Sequence, residues 1–220
     1  MTTEPEYIHY VRTHIDDIYN DLHSRVLFLT VADGIPADML GSNEGIPESL
    51  LEDDDWAVWK PVPSSISVTQ VNQLEQEYRL QLPPLYRAFL QAYHLLEWQF
   101  PNVESNGDMS ASCNSFLFPS LATNRGLSAI RELMEQWREL IEAGYIPFAI
   151  GEDGQGVVCF DTEQRDEHGD CHIVWITWDA LPERNDESVS LRAQWEPHME
   201  PLFLSFEKMW DTVVRKRIRK

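Results

Sequence analysis

Three short runs in the second half of the chain, IPFAI at 146–150, GVVCFDT at 156–162 and CHIVWITWD at 171–179, limit the folds open to it more than any other feature. Each is rich in β-branched or aromatic residues and bounded by Gly or acidic residues, and none has the length of a core helix, so each reads as a strand. Between the first two stands GEDGQG. A phosphate loop needs a lysine beside its glycines, and this stretch has two acids and no lysine. A dinucleotide fingerprint should open a helix, whereas Gly156 leads into Val157 and Val158. Glu152, Asp153, Asp161, Glu163, Asp166 and Glu167 are hard oxygen ligands, but their spacing is not that of an EF-hand loop. The stretch is therefore read as a turn in which Gly151, Gly154 and Gly156 supply positive φ.

Helical periodicity dominates what precedes the strands. Ile8, Val11, Ile15, Ile18, Leu22 and Val26 predict an amphipathic helix over about 5–27. VADGIPADMLGSNEGIPESLLEDDD has no period and reads as a long loop. Ser67 with Gln70 makes a capping box for a second helix carrying Val71, Leu74 and Tyr78 and ending near Leu82. Pro84 opens a third with Leu85, Phe89, Tyr93 and Leu96, and QFPNVESNGDMSASCN follows as a polar loop. Ile130, Leu133, Met134, Trp137, Leu140 and Ile141 mark a fourth helix stopped by Gly144, and FLSFEKMWDTVV closes the chain as a helix. Helices first and strands later argue an α+β fold, and 220 residues suit one domain with a substantial core. Trp137, Phe148, Phe160, Phe89 and Trp210 are expected in that core.

No constellation points to catalysis. H-E-x-x-H, G-x-S-x-G and C-x-x-C are all absent from the sequence. Cys159, His168, Cys171 and His172 cluster without a zinc spacing; Cys159 and Cys171 can approach each other if their runs pair as a hairpin, or serve as small core residues. With Cys113 the cysteines number three, which favours reduced thiols. His94 reads as a surface or satisfied interior group. No cofactor or metal is expected, and no enzyme activity.

Charge excludes further classes. The 37 acidic and 17 basic residues give a net charge of −20, which disfavours nucleic acid and anionic membranes as direct partners. No apolar run approaches the roughly 20 residues of a membrane span, and MTTEPEYIHY lacks the features of a signal peptide, so a cytoplasmic protein is expected. The acids are segregated: residues 1–60 hold 13 acids and 3 bases, residues 151–200 again 13 and 3, and the remainder 11 of each. Such segments serve either as solvated surface or as the complement of a basic partner.

SVTQVNQLEQEYRLQLPPLYRAFLQAY resembles the helix, Leu-Pro turn and helix that opens the SUKH superfamily in its Smi–Knr branch, with Leu74, Glu75, Leu82, Pro83, Tyr86, Phe89 and Leu90 at matching positions. YIPFAIGEDGQGVVCFD is similar to the family's second signature through Pro147, Phe148, Ala149, Gly154, Gly156, Phe160 and Asp161, and LSFEKMWDTVV to its closing helix through Phe206, Glu207 and Trp210. After Tyr93 the chain has HLLEWQF where relatives often have Asn-Gly-Gly. The resemblance implies a single α+β domain, its mixed or mainly antiparallel sheet flanked by helices, over residues 59–220, with residues 1–58 as a helix and acidic loop packed on it. It also implies a non-enzymatic binding role: bacterial relatives neutralise toxins, often nucleases, while fungal relatives regulate cell-wall and signalling enzymes. A small-ligand or metal-binding domain is the third reading.

If the partner is a basic toxin domain, acids from the two segments should face it. Glu52, Asp53, Asp54 and Asp55 come first, because four consecutive carboxylates repel one another. Trp56 and Trp59 beside them either anchor the interface or bury in the core. Asp161, Glu163, Asp166, Glu167 and Asp170 follow on the hairpin, with Asp108 in the polar loop.

Overall fold

The computed structural model describes residues 2–21, 24–51, 55–101, 115–151, 156–177 and 190–215. Helix α1 (Glu4–Asn20) opens with the Thr3–Glu6 capping box and buries Val11, Ile15 and Ile18. A 3-10 turn over Arg25–Phe28 follows it, so the single long helix expected there stops at Asn20 and Val26 is exposed. The loop beyond carries a short antiparallel ribbon of β1 (Leu29–Val31) and β2 (Trp56–Val58). After β3 (Val62–Pro63), α2 (Val68–Tyr78) starts at Ser67: its hydroxyl accepts from the Gln70 N–H, and its own N–H donates to Gln70 Oε1 at 2.8 Å. Arg79, in the left-handed conformation, ends the helix.

Helix α3 (Pro84–Ala92) begins at Pro84 as expected but stops short of Leu96. Tyr93 and His94 leave it to form β4 (Tyr93–His94) opposite β3, and the His94 ring fixes the departure. Its Nδ1 lies 2.7 Å from the Leu121 carbonyl, which can only accept, so Nδ1 carries the proton and Nε2 accepts from the Ser65 N–H at 2.9 Å. His94 is thus a satisfied interior group, 2 % exposed.

A six-stranded, wholly antiparallel sheet follows: β5 (Trp98–Pro101), β6 (Ser115–Phe118), β7 (Tyr145–Gly151), β8 (Gly156–Arg165), β9 (Cys171–Thr177) and β10 (Met199–Phe203), in the order β10-β9-β8-β7-β6-β5. Between β6 and β7 the expected fourth helix breaks at Trp137 into α4 (Ser128–Gln136) and α5 (Arg138–Glu142). Gly144 then turns the chain at φ +90. Helix α6 (Leu191–Trp195) precedes β10, and α7 (Phe206–Trp210) follows it.

Strand alternation sends side chains to both faces of this sheet. Val158 and Phe160 on β8 and Ile173 and Trp175 on β9 join the main core with α1, α2, α3 and α7. Val157 and Cys159, Val174 and Ile176 point the other way, against Leu133, Trp137, Leu140 and Trp195. Both faces are covered, which is why these strands read as continuous apolar runs. It also separates the cysteines: Cys159 is on one face and Cys171 on the other, and their Cα partners are Val174 and Arg165. Both are buried free thiols.

Gly151 and Gly156 are strand residues without positive φ. They are required by close approach instead, since a Cβ would lie 2.5 Å from Trp175 Nε1 at Gly151 and 2.6 Å from it at Gly156. Residues 152–155, including Gly154, lie outside the described residues. The expected core residues Phe89, Trp137, Phe148, Phe160 and Trp210 are all buried.

At the centre, Phe148 and Phe160 stack at 4.1 Å between ring centroids, and the Tyr86 and Phe206 rings meet them edge-on. Truncating Phe148 to Ala should cost about 3 to 5 kcal/mol in urea unfolding, the penalty of an aromatic-sized cavity. The Tyr86 hydroxyl, by contrast, is buried with no hydrogen-bond partner among the described residues, and burial raises its pKa. Tyr86→Phe should therefore leave stability unchanged or raise it by up to about 1 kcal/mol. A clear loss would show that the hydroxyl holds a partner.

Candidate functional site

The acids singled out by sequence divide sharply once burial is known. Asp161, on β8, is 4 % exposed, and both its oxygens accept from one donor: Arg192 Nη2 lies 2.9 Å from Oδ1 and 2.9 Å from Oδ2. The same guanidinium lies over the Tyr145 ring at 4.5 Å and reaches Glu163 Oε2 through Nε at 3.1 Å. Asp161 therefore fastens α6 to the sheet and offers no free carboxylate to a partner. Expecting it at an interface was wrong because charge alone does not reveal a buried ion pair.

Asp170 is corrected in the same way. It is 8 % exposed, and its oxygens accept from the backbone N–H groups of Cys171 (2.8 Å), Phe206 (3.1 Å) and Glu207 (3.0 Å). Burial pushes its carboxyl above the usual value, while those three donors pull it back down. It joins the β8–β9 turn to the start of α7.

The exposed part of the hairpin is the turn itself. Asp166 Oδ1 accepts from the His168 N–H at 2.8 Å and the Asp170 N–H at 2.9 Å, Gly169 takes φ +86, and Asp166, Glu167 and Glu163 face solvent. The acids there organise a tight turn and still present carboxylate oxygens outward. Cys159, His168, Cys171 and His172 form no metal-holding group: among the described residues no three His, Cys, Asp or Glu side chains converge in that manner.

On the other acidic segment, Glu52, Asp53 and Asp54 lie outside the described residues, as does Asp108. Asp55 is exposed, and its carbonyl accepts from the Ala32 N–H at 2.6 Å. The two tryptophans separate. Trp59 is fully buried, packed against Phe28 at 4.8 Å and Trp98 at 6.5 Å, and is a core residue, not a surface anchor. Trp56 is 42 % exposed. Asp55 and Trp56 are exposed on the ribbon, as Glu163, Asp166 and Glu167 are on the hairpin.

A cleft of about 240 Å³ that sequence reasoning missed lies where the start of α1 meets α2 and α3; its lining includes Glu4, Tyr7, Glu75, Leu82 and Arg87. Arg87 is occupied by Glu75, by Asn72 Oδ1 at 2.8 Å and by Glu4 at 3.4 Å, so the cleft offers no unpaired cation. Glu75 also accepts from the Leu82 N–H at 2.8 Å and so clamps the Leu-Pro turn. No helix among the described residues is long and apolar enough to cross a membrane.

The division between structural and surface acids has a measurable consequence. Asp161→Asn should lower stability by about 3 to 5 kcal/mol, because it removes the buried carboxylate charge that faces a largely buried guanidinium, whereas Glu163→Gln should change it by no more than about 0.5 kcal/mol. Equal effects in chemical denaturation would mean that Arg192 does not distinguish the two.

No match is found among curated proteins. Residues 65–210, about two thirds of the chain and all of the sheet, match the SMI1 / KNR4 family (SUKH-1). The match begins just before the Ser67 cap of α2 and ends on Trp210, enclosing the Leu-Pro turn, the Phe148–Phe160 stack and the Asp161 and Asp170 anchors. The chain belongs to the SMI1 / KNR4 family (SUKH-1).

Proposed function

We propose that this protein is a non-enzymatic, cytoplasmic immunity protein that neutralises a bacterial toxin by direct binding, the toxin domain being basic and possessed of a cationic cleft such as a nuclease presents. The observation that carries the reading is the segregation of charge on a scaffold of this family: two segments of net −10 surround a remainder with equal numbers of acids and bases. An acidic protein meets a cationic cleft quickly through electrostatic steering and occupies the surface that nucleic acid would use. The surface acids Asp55, Glu163, Asp166 and Glu167, with Glu52, Asp53, Asp54 and Asp108 from the same acidic stretches and the polar loop, are the proposed contacts, and Trp56 the proposed aromatic anchor. Residues 1–58 are proposed as an addition packed on the family domain at 59–220, in keeping with a match that begins at 65.

The second reading is a regulatory or scaffold protein docking onto a cellular enzyme, which the same family supports. Deleting the gene in its native host separates the two. An immunity protein predicts a deletion strain that grows normally alone, is killed on contact with its unmodified parent and is rescued by a plasmid copy. A growth or cell-wall defect in pure culture instead supports the regulator. A strain that competes as well as its parent and grows normally excludes both.

A further inference from the structure

We infer that the outer end of the β1–β2 ribbon, where Val31 and Trp56 stand side by side in solvent, is the docking surface for a cationic protein that seats an apolar side chain against this pair. The inference rests on the protein-binding reading above and gives it a place.

The register Leu29↔Val58, Thr30↔Ala57, Val31↔Trp56 puts Leu29, Val58, Val31 and Trp56 on one face of the ribbon. The inner half of that face belongs to the core, with Val58 fully buried and Leu29 half-buried. The outer half does not: Val31 is 49 % and Trp56 42 % exposed. One apolar face thus runs out of the core and ends in water. Among the described residues, Trp59, Trp98, Trp137, Trp175, Trp195 and Trp210 are all 6 % exposed or less, and Trp56 departs from them.

The exposed pair is held in place. The Ala32 N–H bonds the Asp55 carbonyl at 2.6 Å, the Gly41 N–H bonds the Val58 carbonyl at 2.8 Å, and the Trp59 N–H bonds the Phe28 carbonyl at 2.8 Å. Asn43 Oδ1 takes the Val58 N–H at 3.1 Å. A backbone fixed from both sides presents Trp56 with little ordering left to do on binding, which favours affinity.

Charge selects the occupant. Asp55 immediately precedes Trp56, Asp33 follows Val31 by two residues, and both are exposed. The first sixty residues carry 13 acids against 3 bases. A second copy of a chain of net charge −20 would bring like charge to this face, whereas a cationic protein surface complements it. An apolar centre with a polar rim is also the usual arrangement of an interface. The ribbon lies before residue 65, so the partner would be chosen by a part of the chain outside the matched family region.

Site-specific photo-cross-linking in the native host tests this. p-Benzoylphenylalanine is placed at position 56 of the full chain, and at Leu204 (63 % exposed) and Val68 (43 % exposed) as controls. The expected result is a protein of basic isoelectric point cross-linked at position 56 and at neither control. Trp56→Ser and Val31→Ser should leave the melting temperature within a few degrees and speed dissociation of the purified complex at least about tenfold. An adduct with a second copy of this chain, or with an acidic or neutral protein, overturns the inference. So does a basic protein captured only at a control position, although the binding role would then stand. Absence of an adduct at all three positions also sinks this surface, and the contact-killing outcome of the deletion strain, read separately, decides whether the immunity role falls with it.

Discussion

The stacked pair Phe148 and Phe160 is the contact on which the other packing depends, because it joins the two central strands and is the surface to which rings from α3, β6 and α7 are fitted. Tyr86 and Phe89 on α3, Phe118 on β6, and Phe206 and Trp210 on α7 meet one another or this pair at centroid distances of 5.1 to 6.5 Å. Most of these contacts are edge-to-face or tilted, the arrangement favoured by the ring quadrupole, and each such pair adds about 0.5 to 1.5 kcal/mol beyond its area. Tyr86, Phe89, Phe148, Phe160, Phe206 and Trp210, all within the matched region, are buried, so these positions serve packing.

Around that core a few carboxylates are used as fasteners. Glu75 holds the Leu-Pro turn and Arg87, Asp161 holds α6 through Arg192, and Asp170 holds α7 by its backbone. These acids are spent on the fold. The exposed acids of the ribbon and of the hairpin turn are not used in this way.

Much of this was legible in the sequence. The capping box at Ser67, the proline at the start of α3 and the stop at Gly144 are local rules, and the structure obeys them. The three central strands were legible because both of their faces are covered. The outer strands were not. β10 reads MEPLF and β5 ends in Pro101, and proline argues against a strand except at an edge, which is where both lie. The exit of α3 at Tyr93 depended on partners for His94 at Ser65 and Leu121, about thirty residues away on either side, and no periodicity shows them. Which of the proposed acids meet solvent was not legible for a similar reason. Acidic residues are visible as letters, but whether Asp161 meets solvent or Arg192, and whether it is Trp56 or Trp59 that turns outward, is decided by pairing in three dimensions.

The two ends of the described chain are tied together. Trp210 Nε1 donates to His14 Nδ1 at 3.0 Å, and the Tyr10 hydroxyl donates to Asp211 at 2.7 Å, so α1 is fastened to a helix nearly two hundred residues later. The closing helix also supplies Phe206 to the aromatic core. During synthesis the nascent chain must therefore keep α1 waiting and the ring cluster open until α7 has emerged. Until then its first helix and central strands are apolar surfaces for a chaperone to shield.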